Sequence, residues 1–301
     1  MSAAFLLPAT LLFPLVAALA VLLTARSADG VRVAAYSRAL AWAYALLTTV
    51  TAGVALATAG GLALPGPLLR LGVSGFEFEP RLYLDGRGAA FVLLLGLSAA
   101  LVLTLLRGTL SGASARGQAH EQNVWGWLLV FGLAGVFLVD SLLLFYVFWE
   151  AALVAVYFWI GRHGARNRFG GAVYGALLRF VLFTLAGSLP MLASIAAACA
   201  YNFRDPGLLG LPATVAQLPD GVRGWVFLGF FLGFAVKLPL LGFHGWLRDT
   251  YNVAPPACRA LLSAAMSKMG AFGLLLVLAP AFPGELARFA PALLTLAVLG
   301  A

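Results

Sequence analysis

The sequence predicts an all-α polytopic membrane protein, and three observations predict it. Hydrophobic residues make up 62% of the 301-residue chain, charged residues only 10%, and mean hydropathy is +0.99. A soluble domain needs roughly 25% charged residues to solvate its surface, so lipid is the solvent for most of this chain. The apolar residues also gather into long runs, and a helix needs about 20 such residues to cross the bilayer core.

Eight spans are expected, at about 3–24, 35–58, 88–106, 122–139, 141–161, 173–200, 224–243 and 255–279. The first is not a signal peptide, because Met1, Ser2 and Ala3 give no cationic leader. Residues 59–87 are polar-leaning, with Pro65, Pro67, Pro80 and several glycines, and read as an extramembrane loop. After Glu285 a new apolar run reaches only Ala301. It is the start of a truncated ninth span or a re-entrant helix. The organisation is thus 1–121 with the loop 59–87, a core of 122–279, and 280–301.

Charge placement orients the spans. Arg26, Arg32, Arg107, Arg116, Arg162, Arg166 and Arg168 fall in the loops after the first, third and fifth spans. Arg70, Arg81, Arg204 and Arg223 occupy the longer opposite loops. Cytoplasmic loops carry the excess of basic residues, which places the N-terminus outside. The net charge of +8 is spread over connections rather than gathered into a basic stripe with aromatics, so nucleic acid is not the expected partner. Cys199 and Cys258 lack metal-type spacing and read as small apolar side chains in packed helices. Three histidines without a His/Cys cluster argue against haem or iron–sulfur ligation.

The candidate chemistry lies in charges within apolar runs. Of 19 basic residues, 17 are Arg; the two lysines, Lys237 and Lys268, both stand inside predicted spans. Lysine can lose its proton when desolvated, whereas arginine stays charged. Intramembrane charges usually mark ion or proton paths, although a lysine paired with a carboxylate can also simply hold helices in register. The carboxylate available is Glu150, in the middle of its apolar run. Pro239, two residues after Lys237, breaks its helix, and broken membrane helices are where transporters place ion sites. His244 can relay protons near neutral pH. Asp140, at the junction of two spans, reads first as a solvated helix-end carboxylate. Arg179, in the run Leu177-Leu-Arg-Phe, is either a fixed charge on the path or a snorkelling anchor.

At these residues the chain resembles the antiporter-like subunits of respiratory complex I, most closely the M-type. The resemblance runs through FYVFWE at 145–150, FTLAGSLPML at 183–192, GFAVKLP at 233–239, HGWL at 244–247, VAP at 253–255 and SKMGAFG at 267–273. It covers about residues 80–279. It implies two inverted five-helix repeats, of which 122–279 would be the first, each with a broken helix and half a proton channel. It implies a proton-translocating membrane-arm role, with Glu150 controlling the proton on Lys237 and Lys268 receiving it. Flavin and iron–sulfur clusters would belong to partner subunits, with no cofactor in this chain. The setting would be the bacterial inner membrane or an equivalent energy-transducing membrane, among other membrane-arm subunits.

The same residues suit a cation/proton antiporter, a membrane-bound hydrogenase or a bicarbonate-uptake complex. A non-pumping structural scaffold is the remaining reading. It is motivated by Arg248, Tyr251 and Pro256, which replace the family's usual proline, second histidine and small hydroxyl residue, and by the missing second repeat.

Overall fold

The computed structural model describes residues 3–24, 30–73, 75–106, 115–165 and 171–300. Arg26, Arg107, Arg166 and Arg168, and the side chains of Arg32 and Arg116, lie outside the described residues.

Long helices dominate because a backbone without water must satisfy its own hydrogen bonds. In order they are α1 (Leu6–Thr24), α2 (Gly30–Ala57), α3 (Gly86–Leu105), α4 (Ala115–Leu138), α5 (Leu142–His163) and α6 (Gly171–Asn202). The short α7 (Gly207–Gln217), α8 (Asp220–Lys237) and α9 (Gly245–Val253) follow. The chain ends with α10 (Pro256–Ala281) and α11 (Pro283–Gly300). Among the described residues, seven helices are long and apolar enough to cross a membrane: α1 with its leading turn, α2 to α6, and α10. The expected span at 224–243 differs from this set. Its helix, α8, carries Asp220, Arg223 and Lys237 within 18 residues and stops at Lys237.

α4 is the most buried of the seven and forms the centre, against α1, α3 and α5. Its contact with α5 is close because Gly132 has no side chain. A Cβ there would lie 2.8 Å from the backbone nitrogen of Ala152 and 3.0 Å from its Cα. Large apolar side chains such as Leu23, Leu46, Leu101 and Leu182 face outwards, as they should on a lipid-facing rim.

The stretch 59–87 is not a plain loop but carries short strands. β1 (Leu62–Ala63) pairs antiparallel with β4 (Arg81–Leu84), and β2 (Leu71–Val73) with β3 (Phe76–Phe78). A two-residue strand β5 (Val139–Asp140), between α4 and α5, pairs antiparallel with β4. Outside the apolar helices the backbone polar groups still need partners, and hairpins supply them.

This face of the molecule is closed by an exchange of carboxylates. Ser141 caps α5, accepting from the amide of Leu144 at 3.1 Å. Asp205, in the α6–α7 connection, accepts from the Ser141 hydroxyl at 2.5 Å and from the amide of Leu142 at 3.0 Å. In return Asp140 accepts from the amide of Leu209, in the first turn of α7, at 3.0 Å. Each connection thus caps the helix that the other begins. Asp205→Ala should cost about 2–3 kcal/mol, since a lost cap and an orphaned hydroxyl each cost roughly 1 kcal/mol or more. A thermal unfolding midpoint in detergent that matches the parent would refute this.

Candidate functional site

The site is assembled where α8 breaks. Pro239 has no N–H to give to the carbonyl four residues back, so the helix cannot continue through it. The Leu240 amide donates to the carbonyl of Ala235 at 3.0 Å instead. The next carbonyl, Val236, accepts from the indole N–H of Trp246 at 3.1 Å, which folds α9 back onto the break. Lys237 is therefore the last helical residue before an irregular turn, as the proline predicts.

Lys237 is 1% exposed, and its Nζ has no hydrogen-bond partner. Aromatic faces stand around it: Nζ is 5.6 Å from the centre of the Phe180 ring and 5.9 Å from that of Trp149. Such ring faces attract a cation within about 6 Å. Glu150 is on the middle of α5, one residue beyond Trp149, and its charge acts on Lys237 without forming an ion pair. Glu150 Oε1 is buried and has no partner either. The two charges that the sequence singled out thus share one environment and do not touch.

Lys268 is half-buried in α10. Its Nζ donates to the carbonyl of Ser263 at 2.9 Å and to the hydroxyl of Ser267 at 3.2 Å. That carbonyl also accepts from the Ser267 hydroxyl at 2.9 Å, and it lies in a π-helical turn, Leu262–Met266. A π turn changes the usual i→i−4 pairing and is frequent at functional sites. A second π turn spans Gly273–Leu278. Tyr251 of α9 approaches Ser263 as well. α10 also touches the break itself: a Cβ on Gly270 would fall 2.7 Å from the nitrogen of Leu238. Only glycine lets the helix bearing Lys268 approach the backbone beside Lys237 so closely.

The remaining candidates fall elsewhere. His244 precedes α9 with its side chain exposed, unlike the buried Lys237. Arg179, expected among apolar neighbours, instead has a 63% exposed side chain and pairs with Asp249 of α9. The backbone turns it away from the Phe180 that follows it, and its ion pair ties α6 to α9. Asp140 is not the solvated helix-end carboxylate expected from the sequence. It is half-buried between α4 and α7, and lines two cavities of about 220 and 210 Å³. Cys199 and Cys258 are buried and free, as read.

Burial pushes the Asp140 carboxyl above the usual carboxylate range, and the charge of Asp205 pushes the same way; the amides of Leu209 and Leu208 and Arg81 oppose them. The fold therefore binds this proton more tightly than the unfolded chain does. Its contribution to stability is complete below the ordinary value of 3.8 and is lost as pH rises through the raised one. Asp140→Asn keeps an oxygen for the Leu209 amide and cannot ionise. It should flatten the stability–pH profile across the acidic range without lowering stability at neutrality. An unchanged profile in thermal unfolding would rule this out.

Sequence reasoning missed Tyr146, Trp149, Phe180 and Ser188 as parts of the site. The signal was present as helical spacing: Tyr146 and Glu150 are four apart on α5, and Phe180, Thr184 and Ser188 are four apart on α6. Residues so spaced share a helix face.

Comparison with known proteins places the chain in a family. Residues 139–301 match the family described as NADH:quinone oxidoreductase/Mrp antiporter, TM. NADH-quinone oxidoreductase subunit M of Escherichia coli K12 is 34% identical over 233 residues, 75% of this chain and 44% of that protein. The subunit M of Pseudomonas aeruginosa is 35% identical over 236 residues, 77% of this chain and 44% of its own length. The chain thus spans under half the length of these curated relatives. A chain of respiratory complex I from Thermus thermophilus superposes with a TM-score of 0.74 at 28% identity, covering 97% of this chain and 57% of that one. A chain of the Mrp complex from Dietzia sp. shares the fold, with a TM-score of 0.72 at 21% identity over 93% of this chain and 50% of that one. The Glu-bearing helix, the broken lysine helix and α10 all lie within the matched region, and the chain belongs to the NADH:quinone oxidoreductase/Mrp antiporter transmembrane family.

Proposed function

We propose that this chain is a proton-translocating membrane-arm subunit of a complex I-type NADH:quinone oxidoreductase, in which Glu150, Lys237 and Lys268 form a chain of proton-binding groups. The observation that carries the proposal is Lys237: a buried, unpartnered amine at a helix break, walled by aromatic rings, with one carboxylate acting on it. A structural salt bridge would close that gap, because a buried ion pair is tolerable only when well formed. A gap leaves the lysine's charge sensitive to small movements of Glu150. Lys237 takes up a proton under control of Glu150 and passes it sideways towards Lys268, whose helix approaches the break at Gly270. His244 lies on the exposed side of the break, where it can exchange protons with water.

The chain itself performs no redox chemistry in this reading. Flavin and iron–sulfur clusters reside in partner subunits, and the chain sits among other membrane-arm subunits. The setting is the bacterial inner membrane or its equivalent, with the N-terminus outside. A second reading, the same module in an Mrp-type cation/proton antiporter, is supported by the shared fold.

The test is proton uptake by membrane vesicles carrying the chain with its native partners, before and after Lys237→Ala. Loss of uptake with the assembly intact supports translocation. Unchanged uptake points to the scaffold. Uptake driven by NADH, rather than by a cation gradient, distinguishes the two assemblies.

A further inference from the structure

Asp140 is common to the two cavities of about 220 and 210 Å³, and the two differ in chemistry. The larger is mainly apolar, lined by Phe137 of α4, Leu208 and Pro212 of α7, and Phe272, Leu276 and Pro280 of α10. Phe272 closes its floor by packing on Phe91 and Phe137, with ring centres 5.4 and 5.2 Å apart. Leu276 belongs to the π turn Gly273–Leu278. The smaller cavity is acidic: four carboxylates, Glu77, Glu79, Asp140 and Asp205, stand against two guanidiniums, Arg81 and Arg204.

Some of these charges are satisfied within the fold. Glu79 pairs with Arg70 at 3.2 Å and Arg81 at 3.6 Å, and Asp205 is held by Ser141 and the start of α5. Asp140 accepts from the Leu209 amide, yet among the described residues no basic side chain forms an ion pair with it. Its position is fixed all the same. Gly207, at φ +68°, passes so close that a Cβ there would fall 2.6 Å from Asp140 Oδ1. A half-buried carboxylate without a counter-ion, set between an apolar chamber and an acidic one, complements a cation carried on an apolar body.

The membrane supplies such molecules at this level. The spans Gly86–Leu105, His120–Leu138 and Pro256–Ala281 begin or end around the larger cavity, which is where a membrane helix meets water. Arg87, in the first turn of α3, also lines it, with its side chain 72% exposed. Its pair with Asp85 at 3.1 Å is exposed and of small worth, so the guanidinium can share itself with a phosphate.

We propose that Asp140 and Arg87 bind an ethanolamine phospholipid, with its ammonium on Asp140, its phosphate on Arg87 and an acyl chain along Phe272, Leu276 and Pro280. The ammonium and phosphate of this headgroup are close neighbours, and both of their partners line the same cavity. A primary ammonium donates hydrogen bonds to a carboxylate; the methylated nitrogen of a choline lipid has no donor. Glycerol and serine headgroups bring either no cation or an added carboxylate, which the acidic chamber repels. Leu276 and Pro280 stand four and eight residues beyond Phe272, so they share one helix face on which the chain can lie. The inference stands apart from the translocation reading, since it uses none of Glu150, Lys237 and Lys268.

The test uses the native assembly in vesicles containing an ethanolamine phospholipid with a photoreactive acyl chain, and crosslinked peptides are identified by mass spectrometry. The parent should be labelled on α7 between Leu208 and Pro212 or on α10 between Phe272 and Pro280. Unlabelled ethanolamine lipid should compete for these positions, and a choline lipid with the same acyl chains should not. Asp140→Asn, which keeps the contact with the Leu209 amide, should cut this labelling about tenfold, the effect of one unmade ion pair at a partly buried site. Arg87→Gln, on an exposed side chain, should lower it too and serves if Asp140→Asn fails to assemble. Labelling of the outward-facing Leu101 and Leu182 should stay unchanged in each variant and reports an intact assembly. Equal competition by the choline lipid, or parent-level labelling in Asp140→Asn, overturns the headgroup assignment. A parent labelled at Leu101 and Leu182 but on neither α7 nor α10 overturns the site altogether, because protein then fills the cavity.

Discussion

Lys237→Ala is expected to reduce proton translocation by about 10²-fold or more, the range that removal of a positioned proton-transfer group commonly produces. Glu150→Gln should fall in the same class. The physical basis is that nothing nearby can substitute for either group. Lys237 Nζ has ring faces rather than other amines around it, and Glu150 is the carboxylate that acts on it. The effect on stability should run the other way. Lys237→Ala loses the packing of a four-carbon stem, but it also removes a buried nitrogen with no hydrogen bond, and leaving such a group buried costs about 1–3 kcal/mol. The assembled protein should therefore unfold at a temperature close to that of the parent. A large drop in thermal stability together with lost pumping would mean that the lysine is a structural tie, and the translocation argument would lose its main support.

Gly132→Val should be the most damaging single substitution for the fold itself. The first carbon of any side chain would sit 2.8 Å from the Ala152 nitrogen, and that atom is backbone, so it cannot turn aside. Overpacking a tight core costs about 1–3 kcal/mol even where side chains can adjust, and here α5 must move bodily away from α4. Glu150 lies two residues before Ala152, so the displacement reaches the site. We expect a loss of about 3 kcal/mol or more, read as reduced thermal stability in detergent, together with impaired translocation. Parent-like stability would show that the two helices are not held in the close register described.

Much of the site was legible because membrane chemistry makes rare residues conspicuous. Lys237, Lys268 and Glu150 stand out in long apolar runs, and the break after Lys237 follows from Pro239 alone. The capping of α5 by Ser141 is local and equally readable. Asp140 and Arg179 were not readable, for one reason: their partners are distant in sequence. Asp140 is desolvated by α7 and answers to Asp205, 65 positions on, while Arg179 is drawn outwards by Asp249, 70 positions on.

The sequence by itself determined the solvent, the helical class and the identity of the charges, because burying a backbone or an ion in lipid leaves few alternatives. Only the tertiary structure decided how those charges face one another. That depends on the rotation and spacing of packed helices, set by Gly132 between α4 and α5 and by Gly270 against the break. It depends equally on a carboxylate exchange between two connections. Helix periodicity tells which residues share a face, but the face's neighbour is fixed by close packing summed over the whole bundle. For that reason Glu150 and Lys237 could be named from the chain, whereas the gap between them, and the hydroxyls of Tyr146 and Ser188 at its edge, could not.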